Sequence, residues 1–303
     1  MSQTKLEQAY QYCQEITRTH AKSFYFAAKF LPKDKRPPIY ALYALCRHVD
    51  DEIDEAEIRS EAESAKAVER WKNNLQAIYS NSEVLKDEKL NTDNQSLVLF
   101  AWRDLLQTYK IPQSLPLELM KGVVQDTYQK RFETFDELYV YCYRVASTVG
   151  LMACEVFGYE KAETLDYAEK LGIAMQLTNI LRDISEDAEK GRIYLPQEDL
   201  RKFGVTEEQI FAKKIDKNFI ELMKFEIARA RQYYKESRKG IPLLTKDVRF
   251  TVLLALRLYS KILDEIEKQD YDIFQKRAHT TKLQKIISIP KIWLEAKKMN
   301  TQE

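Results

Sequence analysis

The sequence predicts an all-α protein, and three observations carry that prediction. Of 303 residues only 7 are glycine and 8 proline, so few positions interrupt a helix. Apolar residues recur at three- and four-residue spacings, as in Ala67, Trp71, Leu75 and Ile78. No run alternates apolar and polar residues as a half-buried strand does. No glycine- or serine-rich linker divides the chain, so residues 1–303 read as one domain.

The elements follow in order. A helix over 3–20 is interrupted at His20-Ala21-Lys22-Ser23 before a short apolar piece from Phe24 to Ala28. A helix over 36–55 carries Pro37 and Pro38 in its first turn, where a missing N–H costs no intrahelical bond. Helices over 60–80, 93–109 and 114–131 follow, with a polar loop at 81–91. Thr134-Phe135-Asp136-Glu137 opens a long apolar helix that Gly158 ends. A helix over 160–188 leads into a turn at 191–196, and a short piece over 197–203 is closed by Gly204. Helices near 206–212, 216–238, 245–268 and 279–298 complete the chain, the last containing Pro290.

Composition excludes several function classes. A formal net charge of +1 gives no field to gather nucleic acid. Cys13, Cys46, Cys142 and Cys154 lie in helical patterns without CxxC spacing, which predicts reduced, packed thiols. No signal pattern and no apolar run long enough to cross a bilayer is present, which points to the cytoplasm. Resting on the inner face of a membrane stays open, although no anchoring helix stands out.

The informative stretch is Gln176 to Asp187. Gln176, Asn179, Asp183 and Asp187 are offset by 0, 3, 7 and 11 residues, one stripe on a helix. Leu177, Ile180, Leu181 and Ile184 surround that stripe, so the carboxylates sit on a helix that must be largely buried. Burying them without counter-charge is costly, and a cation is the obvious compensation. A second stripe, Tyr43, Arg47, Asp50 and Asp54, has offsets of 0, 4, 7 and 11. Two such helices facing each other would form an oxygen-rich pocket. Only three histidines occur and neither stripe has an ExxH pair, so a di-iron site is disfavoured. Oxygen-only ligation suits Mg²⁺, or Mn²⁺ in its place. Lys22, Arg47, Arg182 and Arg192 lie beside the acidic segments, so the expected ligand is a diphosphate held between metal and cations.

With both stripes in view, the chain resembles the squalene/phytoene synthase family of head-to-head prenyl transferases. The resemblance runs from His20-Ala21-Lys22-Ser23-Phe24 to Tyr271-Asp272-Ile273-Phe274. Between them lie the Asp50–Asp54 motif, Tyr141-Cys142-Tyr143-Arg144-Val145-Ala146-Ser147-Thr148-Val149-Gly150, the Asn179–Asp187 motif and Gly191-Arg192-Ile193-Tyr194-Leu195-Pro196. Two positions depart from the pattern: Ser147, where the family often has Gly, and Ala21, where a hydroxyl residue is common.

The resemblance implies packed helices around a deep apolar cavity, with Mg²⁺ at Asp50, Asp54, Asn179, Asp183 and Asp187. It implies diphosphate contacts from His20, Lys22, Ser23, Arg47, Gln176, Arg182, Arg192, Tyr194 and Tyr259, with Tyr43 nearby and Arg277 closing the site. Phe24, Ala28, Tyr40, Tyr141, Val145 and Met223 would line the prenyl cavity. The implied reaction joins two allylic diphosphates through a cyclopropyl diphosphate, with diphosphate or a tyrosine hydroxyl accepting the proton. Small Ala27 and Ala28 would leave room for C20 chains and hence phytoene, whereas Tyr40 and Met223 could shorten the cavity to C15 and a C30 product. No GxGxxG run is present, which argues against an NADPH-dependent reductive step. A prenyl diphosphate phosphatase, a terpene cyclase and a lipid-binding or assembly factor are the rival readings.

Overall fold

The computed structural model describes residues 4–59, 61–80 and 93–299, without the side chains of 54–59 and 61. Fourteen α-helices are described: α1 (Lys5–His20), α2 (Lys22–Ala28), α3 (Arg36–Arg59), α4 (Glu61–Tyr79), α5 (Asn94–Thr108), α6 (Ser114–Tyr128), α7 (Phe135–Cys142), α8 (Thr148–Phe157), α9 (Thr164–Glu189), α10 (Gln197–Phe203), α11 (Glu207–Phe211), α12 (Lys217–Ser237), α13 (Lys246–Lys268) and α14 (Lys282–Met299). Among the described residues there is no β-strand, only isolated bridges at Arg131–Ile193 and Tyr159–Leu244. The expected polar loop at 81–91 lies outside the described residues.

Local chemistry sets the helix ends. Thr4 and Glu7 form a reciprocal cap on α1, and Thr134 accepts from the Glu137 N–H at the start of α7. Gly158 ends α8 at φ 79° and Gly204 ends α10 at φ 67°, both in the left-handed half of backbone space that glycine enters without penalty.

The helices enclose two apolar cores. One gathers Trp71, Trp102, Leu42, Leu45 and Ile53 among α1, α3, α4, α5, α6 and α8. The other gathers Tyr141, Leu177, Leu181, Phe219, Met223 and Leu254 among α7, α9, α12 and α13. Helices α3 and α9, which carry the acidic stripes, are not packed face to face; each packs on α8.

One expectation needs correction. The apolar run from 135 to 157 is not a single α-helix: Tyr143–Ser147 forms a π-turn between α7 and α8. A π-turn widens the helix by a residue and shifts the register of the side chains beyond it. The reason is close packing from both sides. Here Gly122 of α6 lies so near that an added Cβ would meet Arg144 Cβ and Val145 Cγ1 at 2.7 Å. On α9, a Cβ at Gly172 would meet the Ser147 Cα at 2.4 Å. Ser147 is fully buried, and its Oγ donates to the Glu169 carbonyl at 2.8 Å, so the serine at this position fastens the π-turn to α9. Gly172→Ala must therefore push two backbones apart. We expect it to destabilise the protein by about 2–4 kcal/mol, measured by urea denaturation; a change under about 0.5 kcal/mol would show that the contact yields freely.

Candidate active site

Helix α9 is buried as its pattern requires: Leu177, Ile180, Leu181 and Ile184 are each 5 % exposed or less. The polar stripe crosses this apolar surface. Asn179 Nδ2 donates to Gln176 Oε1 at 3.2 Å, while Asn179 Oδ1 is buried with no hydrogen-bond partner. An orphaned buried oxygen costs roughly 1–3 kcal/mol, so a ligand that takes up its lone pairs is favoured.

One turn on, Asp183 sits in a double clamp. Arg182 Nε and Nη2 donate to it at 2.8 and 2.6 Å, and Arg277 Nε and Nη2 at 2.8 and 3.0 Å. Burial would raise the Asp183 pKa, but these charge-assisted bonds outweigh it and hold the carboxyl below its ordinary range. Arg277 also reaches Glu186 at 3.1 Å. Arg277, expected from the resemblance to close the site, lies against the stripe at Asp183.

Asp187 is in the opposite electrostatic condition. Burial, then the charges of Asp183 and Asp126, push its pKa up to about 7. Asp126 lies on α6 and was not foreseen from the sequence. It accepts from the Tyr194 hydroxyl at 2.5 Å and pairs with Arg192 Nη1 at 3.2 Å. The 191–196 turn delivers both partners: Gly191 takes φ 72°, the Arg192 N–H donates to the Asp187 carbonyl, and Arg131 donates to the Gly191 carbonyl. Tyr141, Tyr194 and Phe132 stack at 5.2–5.9 Å behind the pair, and a cavity of about 10 Å³ opens between Asp187, Arg192 and Tyr194.

The second stripe is arranged differently from its simple spacing. Arg47 Nε donates to Asp51 at 2.8 Å, whereas its Nη1 stands 3.6 Å from Asp50. Glu52 turns the other way, accepting from Trp71 Nε1 and Gln95 Nε2, and so ties α3 to α4 and α5. The Asp50 side chain is 46 % exposed. The Asp54 side chain lies outside the described residues. Two tyrosines occupy the ground between the stripes. Tyr43 feels the charges of Arg47 and Asp50 and neighbours Tyr259, which in turn feels Arg182, Asp183 and Arg277. Burial pushes the Tyr43 hydroxyl up to about 12, so it stays a neutral donor.

The α1–α2 corner supplies the cationic rim. His20 and Lys22 are exposed there, and Ser23 Oγ accepts from Lys285 Nζ of α14 at 2.7 Å. Lys285, a second residue the sequence did not single out, has its pKa lowered by burial and by Lys22. The residues expected along a prenyl cavity divide between the cores. Tyr141 and Met223 are buried in the α9 core with Val145 at its edge; Ala28 and Tyr40 are buried in the α3 core with Phe24, which stacks on Tyr43 at 5.7 Å.

Among the described residues no three His, Cys, Asp or Glu side chains converge closely enough to enclose a metal ion. The donor chemistry nevertheless suits a hard divalent cation: an unpartnered amide oxygen on Asn179 and a carboxyl on Asp187 crowded by two others.

The chain matches the squalene/phytoene synthase family model over residues 17–284. It is 36% identical to 15-cis-phytoene synthase from Synechocystis sp., over 96% of this chain and 86% of that one. It is 39% identical to the chloroplastic phytoene synthase of Daucus carota, over 94% of this chain and 70% of that one. A crystal structure of a dehydrosqualene synthase superposes with TM-score 0.86 at 31% identity, covering 97% of this chain and 98% of that one. A squalene synthase from Alicyclobacillus acidocaldarius superposes with TM-score 0.78 at 25% identity, over 89% and 97% of the two chains. The protein belongs to the squalene/phytoene synthase family.

Proposed function

We propose that this protein is a phytoene synthase that joins two C20 allylic diphosphates head to head and releases two diphosphates. The observation that carries the reading is on α9: an unpartnered Asn179 oxygen and an Asp187 carboxyl crowded by Asp126 stand beside an arginine-clamped Asp183. The C20 assignment is supported by near-full-length likeness to phytoene synthases.

The mechanism follows from where the charges sit. Lys22 and Lys285 neutralise a diphosphate arriving at Ser23, and Arg47, Arg182 and Arg192 wait deeper, beside the carboxylates. Asp50, Asp54, Asn179, Asp183 and Asp187 would hold Mg²⁺, which when bound adds positive charge where the departing diphosphate becomes negative. Ionisation of one substrate leaves an allylic cation. The C2–C3 alkene of the second attacks it, and loss of a proton closes a cyclopropane that keeps its diphosphate. That group leaves in turn, the carbon skeleton rearranges, and a second proton loss gives the linear C40 polyene with a conjugated triene at its centre. The aromatic faces of Phe24, Tyr43 and Tyr141 suit passing cations. Tyr194 donates to Asp126, so a proton received at this hydroxyl has a carboxylate to pass to. The buried Leu and Ile wall of α9 keeps out the water that would turn a cation into an alcohol.

The chain-length part of the reading has its own test. Ala28 is 2 % exposed at the end of α2, so a larger side chain there intrudes on whatever lies beyond Phe24. Ala28→Phe should lower turnover of geranylgeranyl diphosphate at least about tenfold more than that of farnesyl diphosphate, measured by competition between the two. An equal loss with both substrates would sink the assignment of Ala28 as a length determinant. Wild-type preference for farnesyl diphosphate in the same competition would overturn the C20 assignment itself.

A further inference from the structure

The outer face of α14 is apolar and unpartnered. Leu283, Ile286, Ile287, Trp293 and Leu294 are each half to two-thirds exposed, whereas Ile292 and Ala296 are the buried hydrophobic residues of this 18-residue helix. At about 100° per residue these positions fall within one third of the helix circumference, so they share one side. Lys282, Lys291, Lys297 and Lys298 flank them, Lys285 turns inward to Ser23, and Glu295 is the single acid of the helix. That glutamate is paired with Arg238 and Arg257, each at 2.6 Å. No anchoring helix stands out in the sequence; the fold reveals this one because it shows which side of α14 the core leaves uncovered.

We propose that this face docks the protein on an anionic phospholipid bilayer. The proposal rests on the reading of the substrates as lipids. Charge decides the occupant. A second copy would set one lysine-rich helix against another, whereas an anionic surface attracts the lysines. Apolar side chains with a tryptophan between basic flanks are the composition of a helix lying in the headgroup region. No described helix is long and apolar enough to cross a membrane. Position supports the same occupant: Lys285, on this helix, reaches Ser23 at the cationic rim, so docking brings the rim to the surface from which a prenyl diphosphate would enter.

Flotation with vesicles of equimolar phosphatidylcholine and phosphatidylglycerol tests the proposal. The wild-type protein should float with these vesicles and not with phosphatidylcholine alone. The double substitution Ile286→Glu and Leu294→Glu should weaken binding at least about tenfold while leaving hydrocarbon synthesis in detergent micelles unchanged. Fluorescence gives an independent readout, since Trp71 and Trp102 are fully buried and Trp293 is exposed. Its emission should shift to the blue on adding anionic vesicles. Absence of flotation, equal flotation of the double variant, or dimerisation through this face would overturn the proposal. A protein that floats by α14 yet makes no hydrocarbon would leave docking intact and remove the condensation reading; synthesis in micelles without flotation would do the reverse.

Discussion

Asp183→Ala is expected to lower hydrocarbon formation at least about a thousandfold, the largest effect of any single change in this site. The carboxylate receives hydrogen bonds from both Arg182 and Arg277. Its removal leaves two guanidinium groups with their shared counter-charge gone and deletes one ligand of the proposed cation. The assay is conversion of geranylgeranyl diphosphate with Mg²⁺ in excess. A parallel calorimetric titration with Mg²⁺ and a non-hydrolysable diphosphate should show weakened metal-dependent binding. A loss below about tenfold, with binding unchanged, would mean that Asp183 serves only to hold Arg277 and the segment leading to α14.

The second large effect is on pH. Asp187 titrates at about 7 and Glu226 at about 8, against ordinary values of 3.8 and 4.5. Burial is the main cause at both; Asp183 and Asp126 add to it at Asp187, and Asp199 at Glu226, where Arg229 opposes it. The folded protein therefore holds protons that the unfolded chain has already released between about pH 4.5 and 7. The folded state binds more protons, so stability is greatest on the acid side of this window and falls as pH rises through 7 to 8. Metal-free protein should lose on the order of 5 kcal/mol between pH 5.5 and 8, about 2 of it through Asp187, seen as a falling melting temperature. Asp187→Asn should remove part of the fall, and Mg²⁺ should counter it by favouring the ionised carboxylate. Asp183 does not obscure the window, because its depressed pKa places its own stability loss below the ordinary carboxylate range. A melting temperature that rises from pH 5.5 to 8 would contradict the account.

Much of the site was legible because burial and polarity conflicted within one helix. The Gln176–Asp187 stripe stood out because its apolar neighbours left it no other place to be. The same signal was available for Asp126, which follows Leu119 by seven residues and Gly122 by four on the buried side of α6. A single acid on an apolar face is weaker than a repeated one, and it went unread. Lys285 carried no such signal: on a lysine-rich helix, only the tertiary fold shows which lysine turns toward Ser23. In the second stripe the heptad-like spacing put Arg47 with Asp50, yet Asp51 lies one full turn on and accepts the shorter bond. The π-turn at Tyr143–Ser147 was hidden for a different reason. Its cause is the approach of Gly122 and Gly172 from other helices, and no local propensity in the 135–157 run records it.

The central claim is that two prenyl chains are joined, and product stoichiometry tests it most directly. Purified protein is incubated with geranylgeranyl diphosphate and Mg²⁺, and diphosphate release is counted against extracted product. The expected product is a C40 hydrocarbon with two diphosphates released for each molecule formed. Geranylgeraniol as the product, with one diphosphate released for each alcohol, would contradict it.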